Sequence, residues 1–148
     1  MVGNLRAQKK IENRQKILDA ATILFKECGF ANTSITDIMN RSNLGVGTFY
    51  NYFNSKEEVL MSIVRQLFMQ IEDKVMAQKN SSSLELLEFC TMETARLIDE
   101  NRFILPLLAS AVKHSDKPEQ LPKNLSPDFK KIFEEIILRG QERGEIRK

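Results

Sequence analysis

Apolar positions recur along this chain at intervals of three and four, and no stretch alternates with a period of two. That periodicity predicts helices and no strands. The first helix is expected over about residues 11–28. Ile17, Leu18, Ala21, Leu24, Phe25 and Cys28 form its stripe, and Gly29 ends it as a residue suited to positive φ. Ser34, with Asp37 three residues on, is a capping-box start for a short helix carrying Ile35, Ile38 and Met39. That helix stops near Ser42-Asn43, and Leu44-Gly45 makes the turn. A second short helix is expected from about Val46 to Phe53. Phe49 and Phe53 lie four apart, so they share an inward face. Gly47, Thr48, Tyr50, Asn51 and Tyr52 take the other face, which holds hydroxyls, an amide and no acid. Such a face can approach phosphates and hydrogen-bond to base edges.

Longer helices follow. Ser55, with Glu58, caps a helix running from about Lys56 to Ala77, with Leu60, Ile63, Val64, Leu67, Phe68, Ile71 and Val75 as its stripe. At about 1.5 Å per residue it is roughly 30 Å long, enough to enter a second layer. Residues 78–82 are a polar break. Ser82 with Glu85 opens a helix reaching about Asp99, and Asn101 is expected to cap the next, which Pro106 kinks or restarts. Residues 115–125 read as the longest loop. Ser126-Pro127 opens a last helix with Phe129, Ile132, Phe133, Ile136 and Ile137 on one side, and Gly140 and Gly144 weaken its end. The class is all-α: an N-terminal three-helix head with a helix-turn-helix at about 34–53, then a helical body. The boundary is set at 1–55 and 56–148.

Composition narrows the function. The 148 residues are 42% hydrophobic and 28% charged, as in a soluble globular protein. No apolar run approaches the roughly 18 residues that span a bilayer. The longest, Phe103 to Val112, is broken by Pro106 and Ser110. The N-terminal charges have no apolar stretch behind them, so no signal peptide is read and a cytoplasmic location is expected. Cys28 and Cys90 make no disulfide framework and read as buried thiols on apolar helix faces. Residues 1–55 hold seven Lys/Arg against four acids, and residues 56–148 fifteen against sixteen. The basic excess therefore lies with the helix-turn-helix, as a nucleic-acid surface requires. Arg6, Lys9 and Lys10 precede the first stripe; they read either as a disordered tail or as a basic arm for the DNA backbone or minor groove. A lone histidine, His114, builds neither a metal site nor a catalytic triad, and no Gly-rich phosphate loop is present. No enzyme, metal or cofactor is expected.

The runs T-S-I-T-D-I at 33–38, G-V-G-T-F-Y-N-Y-F at 45–53 and S-K-E-E-V-L at 55–60 stand in one order and spacing. Together with A-A-x-x-L-F-x-x-x-G-F at 20–30, they resemble the tetracycline-repressor (TetR) family of bacterial transcriptional regulators. The resemblance is strong over about residues 12–65; beyond that it is one of helix order and length. It implies a helix docked in the major groove of a palindromic double-stranded operator. Val46, Gly47, Thr48, Tyr50, Asn51 and Tyr52 then make groove and backbone contacts, and Thr33, Thr36 and Lys56 hold phosphates. It also implies a homodimer, and a body that binds a small, largely apolar effector and so releases a repressor from its operator. Phe68, Phe89, Met92, Arg96, Phe103, Leu107 and Phe133 are the pocket candidates, and no membrane partner is expected. The alternative is a DNA-bound protein whose body recruits a protein partner and senses no small molecule. The family's body usually continues for two more helices past the point where this sequence reads G-E-I-R-K, so the chain is read as a fragment or a shortened member. Dimerisation through that surface is left open.

Overall fold

In the computed structural model, residues 2–78, 80–116 and 127–147 are described, with side chains from residue 4 and, in the last stretch, from residue 130. Among the described residues there are six α-helices and one 3-10 helix, and no strand. They are α1 (Val2–Cys28), α2 (Ile35–Arg41), the 3-10 helix (Val46–Asn51), α3 (Lys56–Met76), α4 (Ser83–Glu100), α5 (Ile104–His114) and α6 (Pro127–Glu142). Among the described residues no helix is long and apolar enough to cross a membrane. Nor do they hold a cluster of side chains able to bind a metal.

The chain divides into two compact units. The first takes α1, α2, the 3-10 helix, α3 as far as Ile63, and α5. Its core is Ile17, Leu18, Ala21 and Phe25 of α1, Phe30, Ile38 and Met39, Phe49 and Phe53, and Val59, Leu60 and Ile63 of α3, all buried. From α5 come Ile104, Leu107 and Ala111. This unit thus contains more than residues 1–55, because α5 adds an apolar face of its own. The second unit takes α3 from Val64 onward, α4 and α6. Ile71, Val75, Leu86, Cys90, Ile132 and Ile136 are its buried cluster.

Local chemistry sets most boundaries. Ser34 caps α2 reciprocally: its hydroxyl accepts from Asp37 N–H at 3.1 Å, and the Asp37 carboxylate accepts from Ser34 N–H at 2.9 Å. Ser82 and Glu85 repeat the device at α4. Gly29 takes φ +81° and passes its N–H to Phe25 O, closing α1.

Several expectations are corrected. α1 begins at Val2, not near residue 11, since Leu5, Arg6, Ala7, Gln8, Lys9 and Lys10 are all good helix formers. Cys28 is exposed; Phe30 folds back against Phe25, ring centroids 5.5 Å apart, and closes that end of the core. Cys90 is buried as expected. Asn101 does not start α5. It ends α4, its side-chain amide donating to Leu97 O at 2.9 Å. Pro106 is the third residue of α5, inside the first turn where no N–H is needed, so it neither kinks nor breaks the helix. The expected loop at 115–125, the cap at Ser126 and the side chain of Phe129 fall outside what is described, save Ser115 and Asp116.

The end of α6 is more ordered than its glycines suggest. Gly144 takes φ +72°, and the N–H groups of Glu145 and Ile146 both reach Gly140 O. This reversal brings the Glu145 carboxylate to the N–H of Ser83, 2.6 Å away, at the start of α4. Arg143 donates to Ser81 O at 2.9 Å. A Cβ on Gly140 would lie 2.6 Å from Ser83 Oγ and 2.7 Å from Ile146 Cδ1, so any larger residue must push these two side chains aside. Gly140→Ala is expected to destabilise the protein by about 1–3 kcal/mol through overpacking, read from urea unfolding.

Hydrogen bonds from serine hydroxyls and backbone N–H groups hold three carboxylates below their usual range: Asp37 through the Ser34 hydroxyl and then its N–H, Glu85 through the N–H and then the hydroxyl of Ser82, and Glu145 through the N–H and then the hydroxyl of Ser83. A lowered folded pKa means stability that is present above the ordinary carboxylate range and is lost as pH falls through it. Thermal midpoints should therefore fall between about pH 5 and pH 3. Replacing Asp37 by Asn, Glu85 by Gln and Glu145 by Gln together should flatten that fall while lowering the midpoint at neutral pH.

Candidate nucleic-acid interface

The 3-10 helix is the centre of the site. Gly45, Val46, Gly47 and Thr48 are poor α-formers, and the Thr48 hydroxyl donates to Gly45 O at 2.7 Å beside its own N–H at 2.9 Å. Both bonds favour the tighter i to i+3 turn seen here over the α-helix expected to Phe53. Asn43, at φ 56°, makes the preceding reversal, and Leu44 N–H returns to Met39 O. Asparagine tolerates that left-handed backbone better than other non-glycine residues.

Packing then decides which face looks outward. Phe49 is 0% exposed and Phe53 2%, their rings 6.1 Å apart. With those two turned in, Val46, Gly47, Thr48, Tyr50 and Asn51 are exposed. Tyr50 is 68% exposed and stands edge-on to Phe49, ring centroids 5.3 Å apart. The outward face therefore carries hydroxyls, an amide and an open glycine, with no carboxylate.

Two α1 side chains fix this face in a way the sequence did not signal. The Asn13 amide donates to the Tyr52 hydroxyl at 3.1 Å, leaving Tyr52 half-buried. The Arg14 guanidinium lies 4.6 Å over the Phe53 ring and donates to Ser62 Oγ of α3 at 3.0 Å. These partners are 39 and 48 residues apart, beyond any local pattern.

The phosphate candidates separate. Thr36 is exposed on α2. Thr33 is 2% exposed and its hydroxyl donates to Gly29 O at 2.8 Å, so it is turned inward to complete the α1–α2 connection. Lys56 is also used internally. Its ammonium donates to Phe30 O at 2.7 Å and Thr33 O at 2.8 Å, and sits 4.3 Å over the Phe30 ring. Burial lowers its pKa, with Glu57 and Asp116 opposing. The α1–α2 connection, Tyr50, Asn54 and Lys56 line an open cleft of ≈ 470 Å³ on this side.

The effector candidates fall in both units. In the second, Phe68, Phe89 and Phe133 are partly buried against the apolar cluster. Met92 is 66% exposed, and Arg96 is paired with Glu93 at 3.3 Å and Glu100 at 3.6 Å. In the first unit, Leu107 is buried, and Phe103 precedes α5 with the Lys26 ammonium 5.7 Å over its ring. His114 is exposed.

The pattern of bacterial regulatory proteins of the tetR family matches residues 17–63. The HTH-type transcriptional repressor KstR of Rhodococcus jostii is 24% identical over 113 residues, covering 76% of this chain and 53% of that protein. KstR2 of the same organism is 27% identical over 145 residues, covering 93% of this chain and 70% of that protein. The chain thus spans about half the length of the first and somewhat more of the second. The FadR repressor of Thermus thermophilus, solved with lauroyl-CoA, matches with TM-score 0.69 and 25% identity, over 91% of this chain and 71% of that one.

Phe53→Ala is expected to cost about 3–5 kcal/mol and to unfold the first unit. Tyr50→Ala should stay within about 0.5 kcal/mol of the parent. Thermal unfolding followed by circular dichroism checks both, and equal losses would mean that the 3-10 helix is rotated from the face described.

Proposed function

We propose that the chain is a DNA-binding transcriptional regulator of the tetR family of bacterial regulatory proteins, whose pattern matches residues 17–63. It acts as a repressor that a small-molecule effector releases from its operator. The observation that carries this reading is the acid-free outward face of the 3-10 helix, held rigid by Phe49, Phe53, Asn13 and Arg14. Val46, Gly47, Thr48, Tyr50 and Asn51 enter the major groove. Asn51, if opposite adenine, can donate to N7 and accept from N6. Tyr52, tied to α1, and Thr36 meet the backbone. Lys56 acts through position: it clamps the Phe30 and Thr33 carbonyls and so sets the entry to α2.

One short helix offers few base contacts, so useful affinity needs two heads on a two-fold axis, one DNA turn of about 34–36 Å apart. A homodimer on a palindromic operator follows. For the effector, the lauroyl-CoA held by the Thermus thermophilus relative supports a ligand that carries a long apolar chain. Phe68, Phe89 and Phe133 supply a semi-exposed aromatic wall for it in the second unit.

Selection of bound duplexes from a random library tests the DNA reading. The expected outcome is a palindrome with half-sites about 10 bp apart, bound at least about tenfold more weakly by Thr48→Ala/Tyr50→Ala, a loss of about 1.4 kcal/mol. No enrichment, or unchanged binding by the double variant, would overturn it. Lauroyl-CoA should weaken binding to the selected duplex, and Phe89→Ala should blunt that response.

A further inference from the structure

Residues 4–12 of α1 are exposed at every position, so this third of the helix adds no core to the first unit. What it carries is charge on one side. At 3.6 residues per turn, Arg6, Lys9, Lys10 and Asn13 fall within about 100° of one another. Glu12, the one acid among residues 1–16, lies off that face. The face is also aimed. Arg6, Lys9, Lys10 and Asn13 line a groove of ≈ 460 Å³ whose opposite wall is Asn51 and Tyr52, the end of the proposed recognition element. The Asn13–Tyr52 hydrogen bond of 3.1 Å fixes the groove's base, and α1 is continuous from there to Val2. Among the described residues, Arg6, Lys9 and Lys10 form no ion pair.

We propose that Arg6, Lys9 and Lys10 are a second DNA contact: a rigid cationic strut that grips the sugar-phosphate backbone beside the groove the 3-10 helix enters. The inference rests on the regulator reading above and adds a sequence-independent share of its affinity. Charge complementarity selects the partner. Residues 6–13 span about 10 Å of helix, and one strand presents a phosphate per 3.4 Å of duplex axis, so the strut matches about three phosphates. A flexible basic tail would lose more conformational entropy on binding than this preformed helix does.

Salt dependence is the test, because each phosphate neutralised adds about 0.9 to the slope of log affinity against log salt. The full chain is titrated by fluorescence anisotropy into a mixed-sequence duplex of about 30 bp between about 50 and 200 mM NaCl. Replacing Arg6, Lys9 and Lys10 together by Gln should reduce the slope by about 2–3 and weaken low-salt binding about 10- to 100-fold. Gln keeps helix propensity, so far-UV circular dichroism should not change, and Lys9→Arg/Lys10→Arg should keep the parental slope. An unchanged slope in the triple Gln variant, with Tyr50→Ala still weakening binding, overturns the strut and leaves the regulator reading intact. A parental chain that fails to bind duplex at low salt overturns both. A triple variant that keeps its duplex slope but loses binding to phosphatidylserine vesicles makes the strip a membrane contact and overturns the strut.

Discussion

The first unit depends on burying Phe49 and Phe53 together. The segment between Gly45 and Asn54 is too short, and too rich in glycine and β-branched residues, to hold helical structure by itself. Two phenylalanine rings removed from water contribute about 1.5–3 kcal/mol each, enough to fix the segment against the core. Burial also determines orientation. In so short a helix, turning two large side chains inward leaves no rotational freedom, so Thr48, Tyr50 and Asn51 must face out. The surface that could meet DNA is thus a consequence of packing.

Lys56 shows how the same residue type serves a different end from the one its sequence position suggests. A cation in the first turn of a helix is disfavoured by the helix dipole, which invites a phosphate as explanation. Instead its ammonium bonds two carbonyls, Phe30 O and Thr33 O, and caps the face of the Phe30 ring. Those carbonyls belong to the connection between α1 and α2, which has few helical hydrogen bonds of its own. Thr33 works on the same connection, returning its hydroxyl to Gly29 O. Both residues belong to the scaffold that presents Thr36 and Tyr50.

What the sequence made legible was local. Of the three caps read from three-residue spacing, Ser34 with Asp37 and Ser82 with Glu85 form reciprocal boxes, and at the third the Ser55 hydroxyl accepts from Glu58 N–H at 3.1 Å. The inward pair Phe49 and Phe53 and the glycine end of α1 at Gly29 also form as expected. What stayed hidden was distant in the chain. Asn13 with Tyr52, Arg14 with Phe53 and Ser62, and Glu145 with the start of α4 each join residues tens of positions apart. A stripe also says which residues face a core without saying which of them the core reaches. That is why Cys28, at the end of the α1 stripe, lies exposed while Phe30 fills its place, and why Met92 faces water while Phe89 packs on the body cluster.

α1 shows what one continuous helix achieves when its two ends meet different surroundings. From Ile17 onward its side chains build the core, so the position and rotation of the whole rod are fixed there by buried apolar area. One turn earlier, Asn13 and Arg14 receive that fixed geometry and use it to hold Tyr52 and Phe53. Earlier still, Arg6, Lys9 and Lys10 carry no packing load, yet their direction in space follows from the same buried anchor. Loosening the core at Phe25 would therefore act on all three levels at once. A substitution at Lys9 acts only on the last, so under the proposed reading backbone affinity can vary without disturbing the outward face of the 3-10 helix.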